Sequence, residues 1–196
     1  MADDRFVRAI AAIDAVNADD PNVLVVDGVA RPKEQAHAEL MTTWVQRLDP
    51  HASEAQLLAA RAHHLRRWSS PRSDFPDGRA GYLRWRTALK AQHAEEVGAI
   101  LDASGYGPDV IDQVQRIIRK EHLASDPATQ THEDALCLTF LQTQFVELGG
   151  RLGEDKTVGV VRKTLAKMSD RGRAEALALT LGPDERHLVE RALARP

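Results

Sequence analysis

Histidines, arginines and aromatic residues crowd into one short stretch of this chain, and they are residue types that hold metals and anions. His63 and His64 are adjacent, and Arg66, Arg67, Arg72, Arg79, Arg84 and Arg86 follow. Trp68, Phe75, Tyr82 and Trp85 are interleaved with them, and His93 lies just beyond. Between Arg61 and Lys90, eight Lys/Arg stand against two acids, Asp74 and Asp77, although the whole chain is net −3. Neutral imidazole nitrogens ligate transition metals. Guanidinium groups hold phosphate oxygens in bidentate fashion, and aromatic rings stack on a base or ring. The combination predicts a site for something anionic, built around a metal.

Such a site needs helices to position it, because side chains three, four and seven apart share a helix face. His37 precedes Leu40, Met41, Trp44 and Leu48 on one stripe. His93 aligns with Leu89, Val97 and Ile100. His64 shares a face with Leu57 and Trp68, although His63 can equally be the inward one. Asp134 aligns with Leu138, Leu141, Phe145 and Leu148. An inward aspartate is costly unless its charge is compensated. A divalent cation would compensate it; a helix N-terminus would too, and Thr131 stands at capping-box spacing from Asp134. A lone histidine on an apolar face is most often a hydrogen-bonded core residue, so the case rests on the four together. They give His37, His64 and Asp134 as ligands for a divalent transition metal (Mn, Fe, Co, Ni or Zn), with His93 as a fourth ligand or an acid/base. His51, His132 and His187 read as surface or loop residues. His122 either faces the site or ends its helix.

Hydrophobic and charged contents of 43% and 28% are ordinary for a globular protein, and 196 residues suit a single domain. The expected core is 30–148, with C-terminal helices 154–196 packed on it. Little Gly or Pro, with much Ala, Leu, Glu and Arg, favours helix. No run of 18 apolar residues predicts a membrane span, and the start, Met1-Ala2-Asp3-Asp4-Arg5, has no apolar signal core. The lone Cys137 excludes an internal disulfide and fits a reducing, cytoplasmic compartment. A pI near 6.2 argues against bulk affinity for nucleic acid. Patterning predicts a helix over 4–18 and a short hairpin at Val23–Val29. The next helix runs from Pro32 to about Leu48, and another from Ser53, with Gln56 completing a capping box, to about Trp68. A loop over 69–78 precedes a long helix from Arg79 to Ala103. Pro108 opens another helix, and Thr131 caps one that reaches Leu148. Two or three more follow, with breaks near Ser169 and at Gly182-Pro183. The fold class is all-α, with seven to nine helices and at most one hairpin.

The order His, His-x, His, Asp on successive helices resembles the HD-domain superfamily of metal-dependent phosphohydrolases. His37 fits the first position, and Ala59–Leu65 the helix that carries the His-Asp pair. His93–Gly105 fits the helix with the third His, Ile117–His122 the place where another His commonly occurs, and Glu133-Asp134 the closing Asp segment. The likeness covers about residues 30–148. Here the His-Asp pair has become His63-His64, or His64-Leu65 in the other register, which leaves one carboxylate fewer. The whole chain resembles more closely an uncharacterised bacterial and fungal family, domain of unknown function number four thousand two hundred and two. The strings His64-Leu65-Arg66-Arg67-Trp68, Pro71-Arg72, Gly78–Leu83, Trp85-Arg86, Glu133-Asp134 and Arg162–Ser169 carry that likeness.

The superfamily resemblance implies an HD-like helical bundle. It also implies a metal-dependent hydrolase acting on a phosphate ester of a nucleotide or small phosphorylated metabolite. His93, Lys120 and Glu133 would then be catalytic, and Arg67, Arg72, Arg79, Arg86, Trp68 and Tyr82 would bind substrate. The rival expectation is a non-catalytic nucleotide- or RNA-binding helical module that uses stretch 61–90. The expected partner is a small anionic substrate, with RNA less favoured, no membrane, and a homodimer as a candidate assembly.

Overall fold

The computed structural model describes residues 4–26 and 28–194, apart from the side chains of residues 146–148 and 151. Leu148, the last position of the stripe expected to carry Asp134, therefore lies outside the described side chains. The first helix, α1 (Asp4–Ala18), leads to an antiparallel hairpin of β1 (Val23–Val26) and β2 (Val29–Pro32). Val23 pairs with Pro32 and Val26 with Val29, and Gly28 supplies the positive φ of +79° that the turn needs. Pro32 ends β2 and also caps α2 (Lys33–Leu48). Two contacts tie the hairpin base to the first turn of α2. Lys33 donates its N–H to Asn22 O at 2.9 Å, and Asp20 accepts the Glu34 N–H at 2.9 Å.

Ser53 and Gln56 form the expected capping box at the start of α3 (Glu54–Arg61). The helix stops seven residues short of the expected end at Trp68. Arg61 is held by a two-pronged ion pair with Asp14 of α1, at 2.5 and 2.7 Å. The chain then turns through residues 62–66. Arg66 takes the left-handed conformation (φ 50°) before a single 3-10 turn at Arg67–Ser69. The face shared by Leu57, His64 and Trp68 predicts continuation, but the fully buried Leu65 is packed from a turn rather than from a helix.

The long α4 (Gly78–Ala103) begins one residue before the expected Arg79. Arg72 clasps the loop in front of it by donating to the carbonyls of Phe75 (2.7 Å) and Pro76 (2.8 Å). Trp85 donates its indole N–H to Ser70 O at 2.9 Å, so the loop lies along the helix. Pro108 opens α5 (Pro108–Arg119) as expected, and Lys120 closes it in the left-handed conformation. The next helix, α6 (Pro127–Thr143), starts four residues before the expected cap Thr131. Asp126 caps it, accepting from Ala128 N, and Pro127 occupies the first turn, where no N–H is needed. After Gln144 the chain re-forms as α7 (Phe145–Leu152), then α8 (Glu154–Leu165), α9 (Asp170–Ala178) and α10 (Pro183–Leu193). The break at Gln144 brings the described helices to ten, one above the upper expectation. Ser169 and Gly182 cap α9 and α10 at the predicted breaks.

The helices bury two apolar clusters. One gathers Met41, Leu138, Phe145 and Val161, from α2 and α6–α8, and extends into α9 and α10. The other gathers Ile13, Leu58, Val97, Leu101 and Ile117, from α1, α3, α4 and α5. The short α3 contributes to both, because Ala60 belongs to the first cluster and Leu58 to the second. No described helix is long and apolar enough to cross a membrane.

Gly81 explains part of the Gly78–Leu83 string. A Cβ there would meet the Pro76 carbonyl oxygen at 1.7 Å, so the loop closes on α4 only over a bare backbone. Gly81→Ala is expected to lower stability by about 1–3 kcal/mol. It should also loosen the Trp85–Ser70 contact, seen as increased Trp fluorescence quenching by added iodide alongside a lower denaturation midpoint.

Candidate metal centre and cavity

Five imidazoles form a continuous row. His37 comes from α2, His63 and His64 from the turn after α3, His93 from α4 and His132 from α6. Ring centroids lie 4.5 Å apart for His37–His64, 4.3 Å for His63–His64 and 4.6 Å for His63–His132. His93 lies 5.9 Å from His64. Because α3 has already ended, the adjacent His63 and His64 both turn into the row. Placing only one of them inward required a helix that is not there. His132, expected on the surface, is 1% exposed. Its helix begins earlier than predicted, and it stands three residues before the buried Ala135 and seven before the buried Thr139. That spacing was present in the sequence and marks an inward face. His122 lies past the end of α5 and is exposed.

For His93 and His64 the hydrogen bonds assign the proton to one ring nitrogen. The His93 Nδ1–H donates to Leu65 O at 2.7 Å, leaving Nε2 buried with no partner. Anchoring one ring nitrogen on a backbone carbonyl is how metal-ligating histidines are commonly oriented. His37 Nδ1 is likewise buried and unpartnered. His64 Nε2 faces Arg67 Nη1 at 3.2 Å. A guanidinium only donates, so Nε2 accepts and the proton sits on Nδ1. That Nδ1–H donates to Glu34 Oε2 at 3.0 Å. His63 Nδ1 and His132 Nε2 share one proton across 2.7 Å.

Burial keeps the row neutral. His37 and His132 are pushed down to about 3 and His93 to about 4, and burial is the largest cause for each. His63 and His64 are also driven well below their ordinary value by burial and by their neighbours. Burial raises Glu34 to about 7, with Arg67 opposing the shift. Glu34 stands three residues before His37 on the same face of α2, a spacing that the sequence displayed although the carboxylate was not singled out. One donor atom each from Glu34, His37 and His64 lie within 4.8 Å of one another. This is the set of described residues that could hold a metal ion.

Asp134, expected to complete the ligand set with His37 and His64, faces elsewhere. Its Oδ1 accepts from Ser169 N and Gln130 Nε2, both at 2.9 Å, and its Oδ2 accepts from Ser169 Oγ at 2.5 Å. Gly172 in α9 packs so closely that a Cβ would meet the carboxyl carbon at 2.5 Å. Its dipolar partner is the start of α9, not that of its own helix. The adjacent Glu133 faces inward instead, ion-paired to Lys120 and 3.7 Å from Lys167 Nζ.

His37, His63, His64 and His93 line a cavity of about 260 Å³. Its walls also carry Arg67, Tyr82, Trp85, Arg86, Lys90, Lys120, Glu133 and Lys167. The Arg67 guanidinium lies 4.9 Å over the Trp85 ring, and the Arg86 guanidinium 5.9 Å from the Tyr82 ring. Arg72, Arg79 and Trp68, expected to contact substrate, are not among the lining residues. Arg72 holds the loop in front of α4, and Arg79 is exposed on the first turn of that helix.

The family model described as domain of unknown function DUF4202 matches residues 7–189. The chain belongs to this family. No curated protein and no solved structure matches it. The DUF4202 match spans the five imidazoles and all the cavity-lining residues named above.

The buried histidines set a pH dependence. His37, His93 and His132 have folded values depressed below their ordinary 6.5. Their contribution is therefore complete above pH 6.5 and lost as pH falls toward the folded values, by up to about 1.4 kcal/mol per pH unit for each. Glu34 acts oppositely: its folded value is raised, so it takes up its proton first in the folded chain between about 7 and 4.5. Together with His63 and His64, five depressed groups outweigh one raised group. The denaturant midpoint should fall steadily from pH 6.5 to pH 4.5, and His132→Gln should make the slope shallower.

Proposed function

We propose that this DUF4202 protein is a metal-dependent hydrolase of the HD type, acting on a phosphate ester of a small metabolite. The observation that carries this reading is the meeting of Glu34, His37 and His64 beside a cavity lined by cations. Two orphaned buried nitrogens, His37 Nδ1 and His93 Nε2, fit a metal with nitrogen and oxygen donors. A divalent cation there would acidify a water and polarise a phosphoryl oxygen. Glu34 supplies a carboxylate that the His63-His64 pair lacks.

The residues around the centre divide the remaining work. His93, fixed through Leu65 O, presents the Nε2 lone pair as a fourth donor or as a base for the attacking water. Arg67 is positioned to hold non-bridging phosphoryl oxygens, stiffened by its stack on Trp85. His64 cannot serve a cation and Arg67 at once. If Nε2 binds the cation, the acceptor of Arg67 is gone; if Nδ1 binds it, the proton moves to Nε2, which then also donates. Either way Arg67 loses its partner and becomes available to an anion. A small molecule suits this reading better than an RNA strand, because Arg67 and the buried Lys120 both line one cavity of about 260 Å³.

Protein purified without chelator should carry about one equivalent of a transition metal, measured by elemental analysis. His37→Ala and His64→Ala should each weaken metal affinity by at least about tenfold. Asp134→Ala should retain the metal while lowering stability by about 1–3 kcal/mol, because Ser169 loses its acceptor. Metal lost in Asp134→Ala, or retained in the His37→Ala/His64→Ala double variant, would reverse the ligand assignment.

Arg67→Met separates the two roles of that residue. Removing a cation beside the centre should tighten metal binding about three- to tenfold in the absence of anions. Inorganic phosphate should bind the metal-loaded variant at least about tenfold more weakly than wild type. Competition with a chromophoric chelator, with and without phosphate, measures both.

A further inference from the structure

The cavity has a second charged end. The imidazole row runs from His37, beside Arg67, to His132, and Lys120 lies by the His132 end, where its charge lowers both His132 and His63. Lys120 is almost completely buried, with its side chain 7% exposed, and pairs with Glu133. Lys167 approaches the other oxygen of the same carboxylate. Arg86, Lys90, Lys120 and Lys167 all line the cavity, and Glu133 is the sole acid among the described lining residues. The pairing with Glu133 accounts for one cation and leaves an excess. Lys90 feels that excess: burial lowers its pKa, and Arg86 and Lys167 lower it further, with Glu133 opposing. Positive charge gathered in one cavity in excess of its counter-charge is unfavourable until an anion joins it, most of all at the buried Lys120. Leu89, Leu136 and Phe140 wall the same cavity, which also carries the neutral polar side chains of Gln144 and Thr164.

We infer that Lys90, Lys120 and Lys167 around Glu133 form a second anion subsite, so that the ligand is a compact molecule carrying two separated anionic groups. The inference builds on the proposed function, in which the first anionic group is the phosphate at the Arg67 end. The second group, a phosphate or carboxylate, is held by ammonium groups and takes no part in bond cleavage. A cavity of about 260 Å³ suits a compact body between them, such as a short carbon chain or a single ring.

The test is calorimetric titration of the full chain with alkyl bisphosphonates of graded length, each compared with the monophosphonate of the same length. One spacer length should bind at least about tenfold more tightly than its monophosphonate. Lys167→Gln, at a half-exposed position where folding is not at risk, and Lys90→Gln should each cut that preference to within about twofold. Neither variant should abolish metal binding. Equal binding of both series at every length, or a preference untouched by both variants, would overturn the subsite. Metal affinity measured on the same samples keeps the two readings apart. A bisphosphonate preference without metal binding removes the hydrolase and keeps the subsite, whereas metal binding without the preference does the reverse.

Discussion

Neighbouring residues on a helix point about 100° apart, so two adjacent histidines can share one pocket only where the helix stops. The end of α3 at Arg61 is therefore the constraint on which the site depends. Asp14 grips Arg61 at that point, Arg66 takes a left-handed turn, and the four residues between them carry both His63 and His64 inward. The same turn sends Leu65 O back to His93, which fixes the third ring. Had the helix continued to Trp68, one of the two imidazoles would face away and the row from His37 to His132 would be broken. Left-handed backbone at a residue other than glycine is uncommon, and it recurs at Lys120, which closes α5 and carries the buried ammonium into the cavity.

Electrostatics follow from that geometry. Five neutral imidazoles can lie side by side because burial strips them of protons, and neutral rings keep the lone pairs that ligation needs. In the proposed centre the negative charge comes from Glu34, one helical turn before His37, rather than from a residue following a histidine. Its position is secured from outside the site, by Asp20 at the base of the hairpin. Asp134 holds Ser169 at the head of α9 and so positions the C-terminal helices against α6. Adjacent residues on α6 thereby serve separate ends, Glu133 toward the cavity and Asp134 toward packing.

Much of this was legible before folding. The helical period placed His37 and His93 inward, the Ser53–Gln56 box and Pro108 gave helix starts, and Ser169 and Gly182-Pro183 gave breaks. The failures share a cause. The end of α3 is set by an ion pair to a residue 47 positions away, which local pattern does not register. His132 was lost because its helix start was placed at Thr131, where the capping-box spacing with Asp134 mimicked a cap, while Asp126-Pro127 is the cap in fact. Glu34 lies in the first turn of α2, where an acid is ordinarily accounted for by the helix dipole and carries no signal of burial. Whether Asp134 faces a metal or Ser169 depends on where α9 lies, and periodicity within α6 carries no information about that.

The two apolar clusters meet around α3, and the donor atoms come from both sides of that meeting. Glu34 and His37 belong to a helix of one cluster, whereas His93 belongs to a helix of the other, and His64 hangs from the short element between them. A ligand gripped by all of them would act as a rivet. Occupied, the two halves would melt as one cooperative unit; emptied, each could breathe on its own, with α3 as the seam along which the molecule first opens.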